Sequence, residues 1–222
     1  MLVLATDTSG KQGSIALAEG DADGTCRVLE VWPLAGGMFS AELVPQVAAL
    51  LARHGFSRQD IAAFAVASGP GSFTGLRVGL AAIKALGEVL AKPIAAVSLL
   101  EAVATAGSSE GRVLSALDAG RSQVYGGEYQ VGKPTRLVGE RLMTLEEFLA
   151  AAETCRVITP DAVIARAARD QGLPIEEIER PTSAAIARLG WRKIQAGEIV
   201  SPADLDANYI RRTDAEIFHK NP

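Results

Sequence analysis

From Ile61 to Ala67 the chain reads IAAFAVA, without one polar residue, and Ser68-Gly69-Pro70-Gly71-Ser72 follows at once. A strand that is apolar at every position, instead of at alternate ones, is buried on both faces, as in a parallel sheet covered by helices. The stretch from Phe73 to Ala91 then has the apolar spacing of a helix. A doubly buried strand joined through glycines to a helix points to the α/β class.

The rest of the chain repeats the alternation. Leu2–Ala5, Gly13–Ala18 and Cys26–Trp32 read as strands separated by turn chemistry at Gly10 and over Glu19–Gly24, the pattern of an antiparallel meander. Ser40–His54 switches to helical period, with Leu43, Val47, Leu50, Leu51 and His54 on one side and Ser40 as the expected N-cap. Pro45 lies too deep for a helix starting at Ala41, so the helix either starts near Val44 or kinks. Pro93–Ser98 is a further strand and Leu99–Ala106 a short helix. The small, polar Gly107–Gly111 marks a boundary, giving domains 1–107 and 108–222. In the second half, Arg112–Leu117, Gln123–Val131 and Thr135–Leu142 read as strands, with Asp118–Ser122 as a turn. Thr144 opens a helix to Ala152, with Glu147 completing a capping box. Cys155–Thr159 is a strand, Pro160–Gln171 a helix, and Thr182–Ala196 a helix stopped at Gly197. Pro202–Pro222 is a polar tail anchored by Tyr209-Ile210. Two successive blocks of strands followed by alternating helix and strand imply an α/β duplication.

Composition removes several classes of function. With 48% hydrophobic residues and a net charge of -4 over 222 residues, the chain carries enough apolar side chains for a packed core. Two cysteines, Cys26 and Cys155, make neither a disulfide scaffold nor a four-cysteine zinc site and fit a reducing cytosol. Two histidines, His54 and His219, exclude a multi-histidine metal centre. The sequence pI of about 5.3 argues against a large nucleic-acid surface and leaves room for a local basic patch. Met1–Leu4 lacks the positive region of a signal peptide, and no apolar run reaches the ~18 residues of a membrane span.

Four groups could carry chemistry. Asp7-Thr8-Ser9, at the end of the first strand, could hold a phosphate or a metal-bound water, or could cap its own turn. Gly69 to Gly75 could be a phosphate-binding loop through Gly69, Gly71 and Ser72, or a tight strand–helix turn with Ser72 as N-cap. It has no lysine after its last glycine and is not a P-loop. Gly75, Gly79 and Ala82 form a small-residue stripe that lets another backbone come close. Leu76, Ile83 and Leu86 make the helix apolar over more than one face, and Leu43, Val47 and Leu50 add the preceding helix. This surplus points to a partner: a paralogue or a second copy contributing two helices to a bundle. Asp118, Arg121 and Tyr125 cluster at a strand–turn–strand junction, as a turn salt bridge beside a half-exposed tyrosine. Arg211-Arg212 is a charge pair able to meet phosphate. No nucleophile–base pair or metal dyad can be assembled, so neither catalytic nor metal-binding residues nor a cofactor are expected.

The segments LATDTS near the start, ASGPGSFTGLRVGLAAIKAL at 67–86, DAGRSQVY at 118–125 and ANYIRRTDAE at 207–216 resemble the TsaB (YeaZ) family, in order along the chain. The resemblance implies an actin-like, RNase-H-like fold of two subdomains, each a mixed sheet flanked by helices. It implies a cytoplasmic, non-catalytic scaffold and activator in the making of threonylcarbamoyladenosine next to the anticodon of tRNAs that read codons starting with adenine. The implied partners are the transferase TsaD, a small ATPase TsaE and, through the complex, tRNA, with self-dimerisation as the state without TsaD. In the family picture TsaD holds a metal through a His-x-x-x-His pair. The equivalent helix here begins Phe39-Ser40-Ala41-Glu42-Leu43 and has neither histidine; Phe39 also replaces a histidine that many relatives carry. The competing reading is an independent nucleotide-hydrolysing or sugar-kinase-like enzyme of the same fold. It would use Asp118 as a base, but no D-x-G-x-T loop accompanies it. A protease reading finds no nucleophile.

Overall fold

The computed structural model describes residues 1–211. Its elements are β1 (Leu2–Asp7), β2 (Gly13–Gly20), β3 (Cys26–Leu34), α1 (Phe39–Arg53), β4 (Ile61–Gly69), α2 (Phe73–Leu90), β5 (Ile94–Ser98) and α3 (Leu99–Ala106). They continue with β6 (Gly111–Gly120), β7 (Gln123–Val131), β8 (Arg136–Thr144), α4 (Leu145–Ala152), β9 (Arg156–Thr159), α5 (Ala162–Asp170), β10 (Ile175–Glu177) and α6 (Ser183–Gln195).

The first compact unit comprises Met1–Ala102 and Pro181–Ala207. Its sheet has the order β3-β2-β1-β4-β5. β1, β2 and β3 form an antiparallel meander, and β4 and β5 extend it in parallel. Strand alternation sorts side chains by size. Leu2, Leu4, Ile15, Leu17, Phe64 and Val66 share one core with Leu43 and Leu50 of α1 and Leu76 and Ile83 of α2. The alternate positions Ala5, Ala16, Ala63 and Ala65 are all buried on the opposite face. Alanines leave room for close approach. α6 lies against these strands, and Gly190 is seated on Ala65 and Ala95, where any Cβ would collide. Trp191 completes this layer, its indole N–H donating to the Asp21 carbonyl at 3.0 Å.

The second unit comprises Val103–Arg180 and, at the end of the described residues, 208–211. Its sheet has the order β10-β9-β6-β7-β8, the same sequence of an antiparallel meander and two parallel strands. α4 and α5 cover one face, with Phe148 of α4 packed among Leu114, Val124 and Met143 of the strands. α1 and α4, and α2 and α5, are therefore topological counterparts in an actin-like, RNase-H-like duplication, the fold class expected from the sequence.

Several expectations are corrected. Ser40 does not cap α1: the helix starts at Phe39 with Met38 as N-cap, without a side-chain bond. Pro45 sits inside the helix, which starts at Phe39 and not near Val44. α5 begins at Ala162 behind Asp161, so Pro160 precedes it. The three-residue β10 has no signature in the sequence because a strand so short shows no period. Against the expected division at 107/108, the first compact unit ends at Ala102, inside α3, and takes in α6, whose Gly190 is seated on the alanine face of the first sheet.

Candidate functional site

The end of β1 and the start of α2 are built into each other. Asp7, Thr8 and Ser9 are all buried. The N–H and Oγ of Ser9 both donate to Asp7 Oδ1, at 2.9 and 2.5 Å, so the aspartate closes its own turn. Thr8 Oγ1 donates to the Gly75 carbonyl at 2.7 Å, and the Ser72 N–H donates to the Ser9 carbonyl at 2.7 Å. A Cβ on Gly71 would lie 2.6 Å from the Ser9 oxygen, while Cβ atoms on Gly75 and Gly79 would strike the Thr8 carbonyl and Thr8 Oγ1. Gly69 has φ +121°, a conformation open to glycine alone. Ser72 caps α2 through a 3.3 Å bond from the Gly75 N–H. The structure thus brings Asp7, Ser9, Gly69, Gly71 and Ser72 to one junction, where Asp7 and the glycines serve the fit of the chain to itself.

A cavity of about 250 Å³ opens beside this junction, at the N-terminal ends of α1 and α2. Lys11, Ser40, Ser72 and Thr74 supply its polar lining, and Phe39 and Val78 its apolar wall. Of the Gly69 to Gly75 loop, Ser72, Thr74 and Gly75 reach it. Lys11 has no signal in the sequence because it comes from a separate segment, and Ser40, expected as a helix cap, lines the cavity instead.

The helices' outer faces differ from expectation. Leu43, Val47, Leu50, Leu76 and Ile83 are buried in the unit's own core, and Gly75 and Gly79 are filled by Thr8. These residues are therefore core, not free surface; Ala82 and Leu86 are half-buried on its margin. Between the exposed Ser40 at its start and Arg53 at its end, α1 turns outward Ala41, Val44, Pro45, Ala48, Ala49 and Ala52, with Val44 55% exposed. The counterpart α4 turns out Glu146, Glu147 and Ala150, and α5 carries an exposed Arg166–Asp170 pair. The alanine spacing in α1 was visible in the sequence, but the leucines drew the reading because they carry more area.

Elsewhere, Asp118 accepts from the Gly120 N–H at 2.8 Å and forms no salt bridge with Arg121. Arg211 lies over Tyr125, while Arg212 and the rest of the 207–216 segment fall outside the described residues. His54 Nε2 is 2.8 Å from Glu30 Oε2. Burial pushes the Cys26 thiol up, in keeping with a packed cysteine instead of a nucleophile. Among the described residues no group of three or more His, Cys, Asp or Glu side chains could hold a metal, and no helix is long and apolar enough to cross a membrane.

Comparison with known proteins fits this geometry. The family model described as "TsaD: tRNA N6-adenosine threonylcarbamoyltransferase" matches residues 33–190, from the end of β3 into α6. The tRNA threonylcarbamoyladenosine biosynthesis protein TsaB of Bacillus subtilis is 38% identical over 131 residues, 59% of this chain and 56% of that one. Its Escherichia coli namesake is 36% identical over 133 residues, 59% of this chain and 55% of that one. The chain belongs to the TsaB/YeaZ family. It spans just over half the length of these curated TsaB relatives. A crystal structure described as an uncharacterized protein with similarity to peptidase YEAZ from Pseudomonas aeruginosa superposes with a TM-score of 0.77 at 26% identity, covering 95% of this chain and 99% of that chain.

Proposed function

We propose that this chain is the non-catalytic subunit of a tRNA-modifying assembly, pairing with a TsaD-type transferase that places a threonylcarbamoyl group on adenosine next to the anticodon. One observation carries the reading. The chain matches the transferase's family model, yet α1 shows an outward face of alanine, valine and proline and no histidine between Phe39 and Arg53. The chain holds two histidines in all, too far apart for the His-x-x-x-His pair that the resemblance implies for the transferase. An apolar helix face on a protein otherwise well supplied with charge marks a surface that another protein covers. On α2, Val89 is 80% exposed, while Ala82 and Leu86 are half-buried against the core.

Reconstitution tests the reading. Purified transferase, its threonylcarbamoyl-adenylate substrate and tRNA are assayed with and without this chain. Transfer should require the chain, and the chain should co-elute with the transferase while turning over nothing alone. Full transfer without it, or transfer by this chain alone, would overturn the proposal.

A further inference from the structure

We propose that the turn end of the β6–β7 hairpin is a contact for unpaired RNA nucleotides, built from Arg121, Tyr125 and Arg211 within the second unit. The inference rests on the tRNA-modification reading above and names where RNA touches this chain. Strand pairing closes at Gly120 opposite Gln123, leaving Arg121 and Ser122 as a two-residue turn. Both have positive φ, +56° and +57°. Such turns favour Asn-Gly, and two successive side-chain-bearing residues there weaken the fold. Arg121 is exposed and adds nothing to the core.

Arg211 stands beside it. Its guanidinium donates to Gln123 Oε1 at 2.5 Å and lies over the Tyr125 ring, 5.9 Å from the centroid. The opposite end of the same hairpin shows the contrast: there Arg112 is neutralised by Glu128 at 2.5 Å. Among the described residues neither Arg121 nor Arg211 has a carboxylate within ion-pair distance.

Charge decides which RNA feature fits. Asp118 and Asp161 lie near this same turn end, accepting from the Gly120 and Asp118 N–H groups at 2.8 and 2.7 Å. They offset two arginines, and the chain as a whole carries -4. Tracking a duplex backbone needs more positive charge than that. A guanidinium beside an aromatic ring, 5.9 Å from its centroid, instead offers donors and a second plane to a base turned out of its stack. The hairpin end is therefore matched to loop nucleotides, with one or two phosphates touched in passing.

The test is fluorescence anisotropy on the full chain, alone and mixed with the transferase, using a labelled anticodon stem–loop and a fully paired RNA hairpin. Arg211→Ala should weaken stem–loop binding roughly tenfold, as loss of one stacked base does. Arg211→Lys, which keeps the charge and loses the plane, should weaken it nearly as much. Arg121→Gly relieves the turn, so it should raise stability while lowering affinity, a combination that a structural role does not give. Arg58→Ala, exposed in the first unit, should change nothing. The slope of log K against log salt should be no steeper than about -1.4, two phosphates at about -0.7 each. Equal binding by all variants, or no preference for the stem–loop over the paired hairpin, would overturn the contact. If the variants weaken transferase binding and spare RNA binding, the surface serves a protein and the inference fails. Normal transfer with unchanged RNA affinity in the variants would sink the contact and leave the function standing. A wild-type chain that neither joins the transferase nor supports transfer would sink the function.

Discussion

Three glycines at four-residue spacing, Gly71, Gly75 and Gly79, have their reason in two residues far away in sequence. Each faces Thr8 or Ser9, but the obstacles differ in kind. At Gly75 the added Cβ meets the Thr8 backbone carbonyl, which no side-chain change removes; at Gly79 it meets the Thr8 hydroxyl, which can be removed. In an open helix Gly→Ala gains about 1 kcal/mol. Overpacking against an immobile atom costs about 1–3 kcal/mol and sometimes more. Gly75→Ala should therefore lose about 2 kcal/mol or more in urea denaturation, with no rescue by changes at Thr8. Gly79→Ala should be rescued in part by Thr8→Ala, although that change alone removes a buried hydrogen bond worth about 1 kcal/mol. Strictly additive losses in the Gly79/Thr8 cycle would mean that the helix shifts to admit the methyl group. The small-residue stripe was readable in the sequence; its partner was not, because spacing along one helix says that something approaches closely and not what.

Local elements followed from local chemistry wherever chemistry was local. The Thr144–Glu147 capping box, the Ser72 cap and the stop at Gly197 all stand as read, since each is settled within four residues. β10 and the linker before β6 were not legible for the opposite reason. The small, polar Gly107–Gly111 reads as loose, yet Glu176 of β10 accepts from the Ser108 N–H at 2.7 Å and from Ser109 Oγ at 3.2 Å. A Cβ on Gly107 would come 2.5 Å from Ile158 Cδ1 and 3.0 Å from Glu176 Oε2. The Ser108 N–H bond holds the Glu176 carboxyl below its usual range, against a smaller opposing effect of burial. A carboxyl lowered in the folded state stabilises fully above its unfolded value, near 4.3, and loses that contribution as pH falls through the folded value. Glu176→Gln should thus be less stable than wild type at neutral pH, and the two chains should converge below the ordinary carboxylate range. A gap independent of pH in acid-titrated thermal melts would assign the effect to packing alone.

At the scale of the whole molecule, the duplication supplies an internal control for the partner surface. α1 and α4 occupy the same place after the same meander, and both bury a stripe of large apolar residues against a sheet. Selection on fold alone gives them no reason to differ on the outside, yet α4 shows glutamates and α1 shows Ala41, Val44, Ala48, Ala49 and Ala52. Alanines allow helices to pack at short distance, and a glutamate among them would be desolvated without a partner charge. On an exposed helix face of the free chain the same substitution changes stability by no more than about 0.5 kcal/mol. Ala48→Glu should therefore leave the circular dichroism spectrum and melting temperature near wild type and abolish co-elution with the transferase. Ala150→Glu, the matching change on α4, should preserve both. The two variants differ in which half of the molecule carries the charge and in almost nothing else. If both still co-elute, the partner sits on another face; if both dissociate, added negative charge weakens the complex wherever it is placed and α1 loses its claim to the interface.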